Sequence, residues 1–378
     1  MIFIILSVLA FFFLLLVGTD FALNHISKLK RFHIGKWNNQ KEWEIAVLRK
    51  ACQWMKYTPT VRQTDNYRYV FLDMLEGKYR NATIQSWQIA GLVLGLSDIR
   101  DERGKRIIDK WKRKIFDTYG MWKSPVSKVD FAMLGYAVLK TEENPEGIYP
   151  AMNWIVKMLE NNLCKDGMIS YSQGKESTIR FVDTLGMICP FLALYGKIYK
   201  EEKYVTLSIN QIRKFREIGM YQSTQLPCHA VSVDCQLPLG VYGWGRGTAW
   251  YMIGLIDTYF ELTNCKEKTE MKAWIDDAAK EYLKYQHEDG SFYTILQGGG
   301  QYDSSVTAVM AYFYRKCSVV FDDRKYGEIA DRCIARLMKV TMKDGAIDQC
   351  QGDTHGIGIF SQVFDVMPFV QGILLRSL

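Results

Sequence analysis

Proline is scarce in this chain, with 8 in 378 residues. That is few for a fold built from many short strands joined by Pro-rich turns. Past residue 40 there are few strand signals, and long amphipathic segments dominate. Histidine is scarcer still, at 5, and the 9 cysteines are odd in number, with no pair at metal-site spacing. A zinc-finger type of site and a fully paired disulfide framework are both excluded. Cys189 and Cys317 lie in apolar runs, as buried free thiols do, so reduced cysteines in a reducing compartment are the simplest account. The 48 basic and 41 acidic residues leave a net charge of +7, spread along the chain. No arginine-rich patch or nucleic-acid motif occurs, which speaks against nucleic-acid binding. A Ser-His-Asp nucleophile signature and clustered metal ligands are also missing.

What the chain does have begins at its N-terminus. "MIFIILSVLAFFFLLLVG" gives about 17 apolar residues after the first Met, near the lower limit for crossing a bilayer. No Lys or Arg precedes it; Lys28, Lys30, Arg31 and Lys36 follow. A secretory signal carries its positive charge first and ends on a small-x-small site. The pattern here predicts a retained single-pass anchor over 1–24 and a basic linker over 25–40. The positive charge after the span places the body on the cytoplasmic side.

From residue 41 to 378 two kinds of helical segment alternate. Charged, amphipathic ones fall at 43–57, 104–117, 148–160, 204–217, 271–286 and 324–339. Almost wholly apolar ones fall near 85–97, 130–139, 183–199, 246–262, 303–317 and 364–376. "KDG" at 165–167, "EDG" at 288–290 and "KDG" at 343–345 each follow a charged segment. A self-similar period of about 45–65 residues signals a helical repeat. Six apolar helices ringed by six amphipathic ones predict an all-α (α/α)6 barrel, closed because the last segment, "PFVQGILLRSL", is apolar almost to its end. A linear solenoid would pack locally in the same way. In the barrel, the loops before the apolar helices gather at one end.

That end collects the candidate chemistry. Asp130 opens "VDFAMLGYAVLK" and Asp183 opens "VDTLGMICPF". Each is open to two readings: an N-terminal cap, or a carboxyl facing a pocket with its pKa tuned by burial and by the other acid. "YGWGRGTAWYMIG" (242–254) sets Trp244 and Arg246 among glycines, with Trp250 a turn and a half later. Tryptophan faces stack on sugar rings, and a guanidinium holds a carboxylate by a bidentate pair. It is not a phosphate loop, since no Lys-Ser/Thr follows. His229 in "PCHAVS" is a further candidate, and Asp303, Ser304 and His355 read as rim groups or caps.

These motifs resemble the unsaturated glucuronyl and rhamnogalacturonyl hydrolases, glycoside hydrolase families 88 and 105. The similarity covers most of the chain after about residue 40. "FVDTLGMICPFLALYGKIYKEEKY" is similar to the family's W-V-D-T segment and "WGRGTAW" to its W-G-R-G-N-G-W; "VDFAMLGYAVLK" and "DSSVTAVMAY" are weaker anchors. Phe181 stands where the family usually has Trp, Thr248-Ala249 replaces Asn-Gly, and Ser172 lies where a pocket histidine is often found. The resemblance implies an (α/α)6 barrel needing no metal or organic cofactor. By its motifs Asp183 is the catalytic acid/base, Asp130 its partner carboxylate, and His229, Trp244, Arg246 and Trp250 contact the sugar. It also implies the reaction: hydration of the C4=C5 double bond of a terminal unsaturated uronic acid in an oligosaccharide. The alternative is a carbohydrate-binding or polysaccharide-biosynthesis protein that keeps the barrel without turnover.

Overall fold

The apolar and amphipathic segments fold as helices that pair into hairpins. The structure, a computed structural model, describes the chain except residues 60–63, 67–69, 79–84, 100, 172–176 and 222–223 and the side chain of residue 27. The outer helices are α2 (Gln40–Trp54), α5 (Glu102–Ile115), α7 (Tyr149–Asn161), α9 (Glu202–Gly219), α11 (Lys266–Leu283) and α13 (Arg324–Lys339). The inner ones are α4 (Ser86–Asp98), α6 (Phe131–Lys140), α8 (Asp183–Ile198), α10 (Gly245–Glu261), α12 (Ser304–Phe321) and α14 (Pro368–Ser377). Two more, α1 (Ile2–Lys30) and α3 (Val70–Leu75), lie outside this alternation, and a 3-10 turn at Pro145–Ile148 leads into α7.

Each inner helix packs on its two inner neighbours, and α14 packs on α4, so the ring closes. This is the (α/α)6 barrel, and it excludes the open solenoid. Inner helices are buried on every side, as a segment apolar all round must be; in α12 every residue from Ser304 to Tyr314 is buried. Outer helices bury one stripe. In α13 it is Tyr326, Ile329, Ala330, Cys333, Ile334 and Leu337, the spacing of one helical face. Each large apolar side chain so buried contributes about 1.5–3 kcal/mol.

The repeated "DG" turns have a local cause. Asp166, Asp289 and Asp344 each accept a hydrogen bond from the backbone N–H two residues on, at 3.0–3.1 Å. The next residue, Gly167, Gly290 or Gly345, has φ between +75° and +88°, where a side chain is strained. The turn sends the chain from an outer helix toward the next inner one.

The closing seam is tight. A Cβ on Gly372 of α14 would lie 1.9 Å from the carbonyl oxygen of Gly91 in α4. Below it, Arg376 donates to Asp257 at 2.8 and 3.0 Å and to Asp98 at 3.0 Å. This ties the last turn of the chain to α10 and α4.

Two small antiparallel sheets sit at the end where the inner helices begin. One orders β1 (Ile179–Phe181), β2 (Cys228–Ser232) and β3 (Leu237–Tyr242); the other pairs β4 (Cys350–Gln351) with β5 (Phe364–Asp365). Residues 364–365, expected as the start of the last apolar helix, are therefore strand, and α14 starts at Pro368, a residue suited to a first helical turn. Helix α1 continues unbroken to Lys30, beyond the expected linker boundary at 24. Its residues up to Leu15 are all exposed and none is charged, and it is long and apolar enough to cross a membrane, as a signal sequence also is.

Candidate active site

Asp130, Asp183, Trp244 and Asp303 stand at the N-terminal ends of α6, α8, α10 and α12. The ring therefore brings these distant segments to one end. There a cavity of about 290 Å³ is lined by Asp183, His229, Trp244, Arg246 and Trp250 from the sequence-derived set. Gln85, Trp87, Tyr171, Phe181, Met187, Asp353 and Thr354 complete the lining. Asp130 is not among the lining residues. It is buried at the start of the adjacent inner helix; burial, and then the charges of Asp130 and Asp183, raise the proton affinity of the Tyr171 hydroxyl. Ser172 lies outside the described residues.

The cap reading separates these acids. Asp303 caps α12, accepting from Ser305 N–H at 2.8 Å and from Gln351 N–H at 3.0 Å. Asp183 Oδ2 and Asp130 Oδ1 are buried with no hydrogen-bond partner among the described residues. Arg180, three residues before Asp183, turns away and clasps Asp166 at 2.9 and 3.0 Å. An orphaned carboxylate oxygen is costly to keep charged. Burial pushes the Asp183 carboxyl up to about 7; Arg246 pulls it down and Asp353 adds to the rise. Burial also raises Asp130, against a smaller opposing effect of Lys128 and of a Ser86 hydrogen bond.

His229 enters on β2 at a register shift between Cys228 and Ala230. Such a bulge re-aims the side chain it carries. Its Nδ1 accepts from Gly358 N–H at 3.3 Å, so the neutral ring keeps its proton on Nε2. Nε2 stands 3.8 Å from Asp183 Oδ2, too far for a direct hydrogen bond. Burial, with Arg246 nearby, lowers His229 to about 4. The ring is therefore neutral throughout the range in which Asp183 titrates, and the pair is not an ion pair near neutral pH.

Arg246 is buried, not exposed on a turn. It donates to Gln351 O at 2.7 Å and to Gly352 O, and stands 3.9 Å from Asp353. Gly243 alone of its three neighbouring glycines has a positive φ, at +71°. Gly245 and Gly247 lie inside α10 and admit close neighbours: Cβ atoms there would fall 2.6 Å from Tyr293 O and from Trp244 Cε3. Trp244 packs on His229 (4.5 Å) and Phe360 (5.0 Å), which also stack on each other, and its Nε1 donates to Gln351 Oε1 at 3.2 Å. Trp250 packs on Trp87 (5.5 Å) and Phe369 (4.9 Å). Both tryptophans are thus cavity walls held by other rings, while Tyr171, at 37% exposed, presents an aromatic face at the mouth.

Sequence reasoning missed Tyr171, Gln85, Trp87 and Asp353. The "QGD" of 351–353 carries no local pattern that marks it as part of a site. Gln85 Nε2 donates to Asp353 at 3.0 Å, a contact across 268 positions that no local pattern announces. His355 is a rim group, 3.3 Å from Asp65. Among the described residues no cluster of His, Cys, Asp and Glu is arranged to hold a metal ion.

The profile of Glycosyl Hydrolase Family 88 matches residues 80–363. Among solved structures, the chain is similar to a possible family 105 member from Klebsiella pneumoniae, at 17% identity and TM-score 0.74, over 90% of this chain and 93% of that one. A possible family 105 member from Salmonella enterica gives 20% identity and TM-score 0.71, with the same coverage. The unsaturated glucuronyl hydrolase of Bacillus sp. GL1, responsible for the degradation of glycosaminoglycan, gives 16% and 0.63, over 88% of this chain and 93% of that one. At these identities the structural likeness is one of fold. No match was found among the curated proteins.

Proposed function

The chain belongs to Glycosyl Hydrolase Family 88 and is a glycoside hydrolase; from that premise we propose that it hydrates the C4=C5 double bond of a terminal unsaturated uronic acid, with Asp183 as general acid and base. The observation that carries this reading is the Asp183 carboxyl itself. It faces the cavity with one oxygen unpartnered among the described residues, and burial keeps its proton until about pH 7. A buried acid poised near the working pH is suited to giving and regaining a proton.

The substrate's double bond is an enol ether. Asp183 gives its proton to C4, and positive charge develops at C5 and the ring oxygen. Water adds its oxygen to C5 and returns a proton to the Asp183 carboxylate. The hemiketal then opens and releases the neighbouring sugar. This differs from hydrolysis at the anomeric carbon by two carboxylates. Proton transfer of this kind contributes about 10²–10⁴-fold. His229 Nε2–H is placed to orient the water or a sugar hydroxyl near Asp183. Asp130, outside the cavity lining on the adjacent inner helix, acts on the site through Tyr171, whose proton it helps to hold. Arg246 offers the remaining N–H groups of its guanidinium toward the substrate carboxylate. Trp244 and Trp250 shape the cavity that receives the ring.

The test uses disaccharides made by a polysaccharide lyase, with the ultraviolet absorbance of the conjugated double bond as the signal. Loss of absorbance with the wild type and its abolition in Asp183→Asn is the expected result. No loss on any unsaturated uronide, or full activity in the variant, overturns the reading. Binding without turnover would favour the non-catalytic alternative, which the poised carboxyl of Asp183 opposes.

The N-terminal helix is read here as a retained span. Asp20, inside α1, is buried and accepts from Phe71 N–H of α3 at 3.3 Å. This contact ties α1, just past its apolar stretch, to α3. Lys28 and Lys30 then set the body on the cytoplasmic side. A C-terminal reporter active only outside the cytoplasm should stay silent; activity would reverse the orientation.

A further inference from the structure

The stretch that leaves α1 is bolted to the rim of the cavity. Arg31 donates from Nε to Asp348 at 2.5 Å and from Nη2 to Asp348 at 2.9 Å and Asp365 at 3.2 Å. Asp365 belongs to β5, and Asp348 lies two residues before its partner strand β4. This two-stranded sheet leads directly into Gln351 and Gly352, whose carbonyls hold Arg246, and into Asp353 and Thr354 of the cavity wall. Four residues on, Gly35 N–H donates to Thr341 O at 2.9 Å. The anchor therefore meets the barrel at its cavity end.

The short helix α3 lies at the same level. Phe71 N–H meets Asp20, immediately after the exposed apolar run of α1, and α3 packs against α1. It turns Asp73 inward, onto Thr64 and Lys78 at 2.8 Å each, and leaves Leu72, Met74 and Leu75 exposed at 41%, 38% and 61%. Because α3 packs against α1 there, these side chains stand beside the end of its exposed apolar run. The segment that carries α3 also reaches the mouth: Asp65 accepts from Ser361 at 2.5 Å, and Gln85 lines the cavity. An apolar surface patch beside a membrane span is matched by lipid.

We propose that the cavity end of the barrel faces the bilayer, with α3 resting on the lipid surface, so that the glycan taken by this protein is one held at a membrane, attached to lipid. The position of the patch rests on α1 being a retained span, and the substrate class rests on the hydrolase reading above. The first seventeen or so residues of α1 rise about 25 Å at ~1.5 Å per residue, close to the apolar thickness of a bilayer. Residues from Asp20 onward then emerge at the lipid headgroups, where α3 meets them. A soluble oligosaccharide would gain nothing from a mouth turned toward the lipid. A glycan tethered to lipid would be delivered to it.

The test uses the full chain in nanodiscs of phosphatidylcholine and phosphatidylglycerol. The exposed cysteines, Cys235 and Cys265, are replaced by serine. An environment-sensitive fluorophore is then attached at Leu75→Cys on α3, or at Val319→Cys near the far end of α12, where Val319 is 66% exposed. With a nitroxide placed at a shallow acyl position of the lipid, the α3 label should lose most of its emission and shift to the blue, while the α12 label keeps its emission. Equal quenching at both sites, quenching only at Val319→Cys, or failure of the chain to stay with the discs each overturns the proposal. The double-bond assay is run separately, so an inactive protein with a quenched α3 label would refute the hydrolase reading and leave the orientation standing.

Discussion

Asp183 and Asp303 begin inner helices of one ring, yet they have opposite surroundings. Asp303 meets backbone N–H groups and a serine hydroxyl and serves as a cap. Asp183 meets the cavity, with the neutral ring of His229 at 3.8 Å and a wall that includes Trp87, Tyr171, Phe181, Trp244 and Trp250. The sign of its pH dependence follows. As the proposed proton donor, Asp183 works in its neutral form, so kcat/KM should be full below about 7 and fall above it. Asp353 is a negative neighbour that raises Asp183, and Arg246 is a positive one that lowers it. Asp353→Asn should therefore move the alkaline limb to lower pH, by a fraction of a unit to about one unit. A pH–rate profile of wild type and variant reads this directly, and a limb that stays in place or moves up would contradict it. At this scale the sequence showed which residue types were present and where the glycines stood. It could not show that Arg246 is held by the carbonyls of Gln351 and Gly352, because that contact spans 105 positions. Nor could it separate a capping aspartate from an orphaned one, since both open an apolar helix with the same local spacing.

The helices were legible because burial leaves a periodic trace. All six inner and all six outer helices fall where the apolar pattern puts them, shifted by a few residues at their ends. The strands were not legible. β1, β4 and β5 are two or three residues long, too short for alternation to register, and β2 bulges at the residue that matters most, His229. The inner helices also carry a constraint that hydropathy cannot express, namely how close they stand. Gly372 touches the backbone of Gly91 across the closing seam, and a Cβ at Gly95 would fall 2.3 Å from Gly372 O. Gly372→Ala must push α14 and α4 apart at the backbone, with no flexible side chain to yield. The expected cost is about 1–3 kcal/mol, seen as a lower midpoint in urea unfolding; an unchanged midpoint would show that the seam is looser than described.

The closed ring is what gathers the cavity's wall at one end. Closure was readable from the apolar last segment, which needed a neighbour, and the structure supplies α4 on one side and α12 on the other. The clamp of Arg376 on Asp257 and Asp98 was not readable: it joins the third-last residue to acids 119 and 278 positions away. The attachment of α1 through Arg31 to the cavity sheet is of the same kind. The wall drawn from the starts of α4, α8 and α10 and from residues 353–354 encloses Asp183, and that burial, more than any single neighbour, raises its proton affinity. Infrared difference titration of wild type against Asp183→Asn isolates this one carboxyl without any substrate. A protonated carbonyl band that persists past pH 5 and disappears around pH 7 is the predicted result. A band already gone by about pH 4, the value of a solvated aspartate, would contradict it.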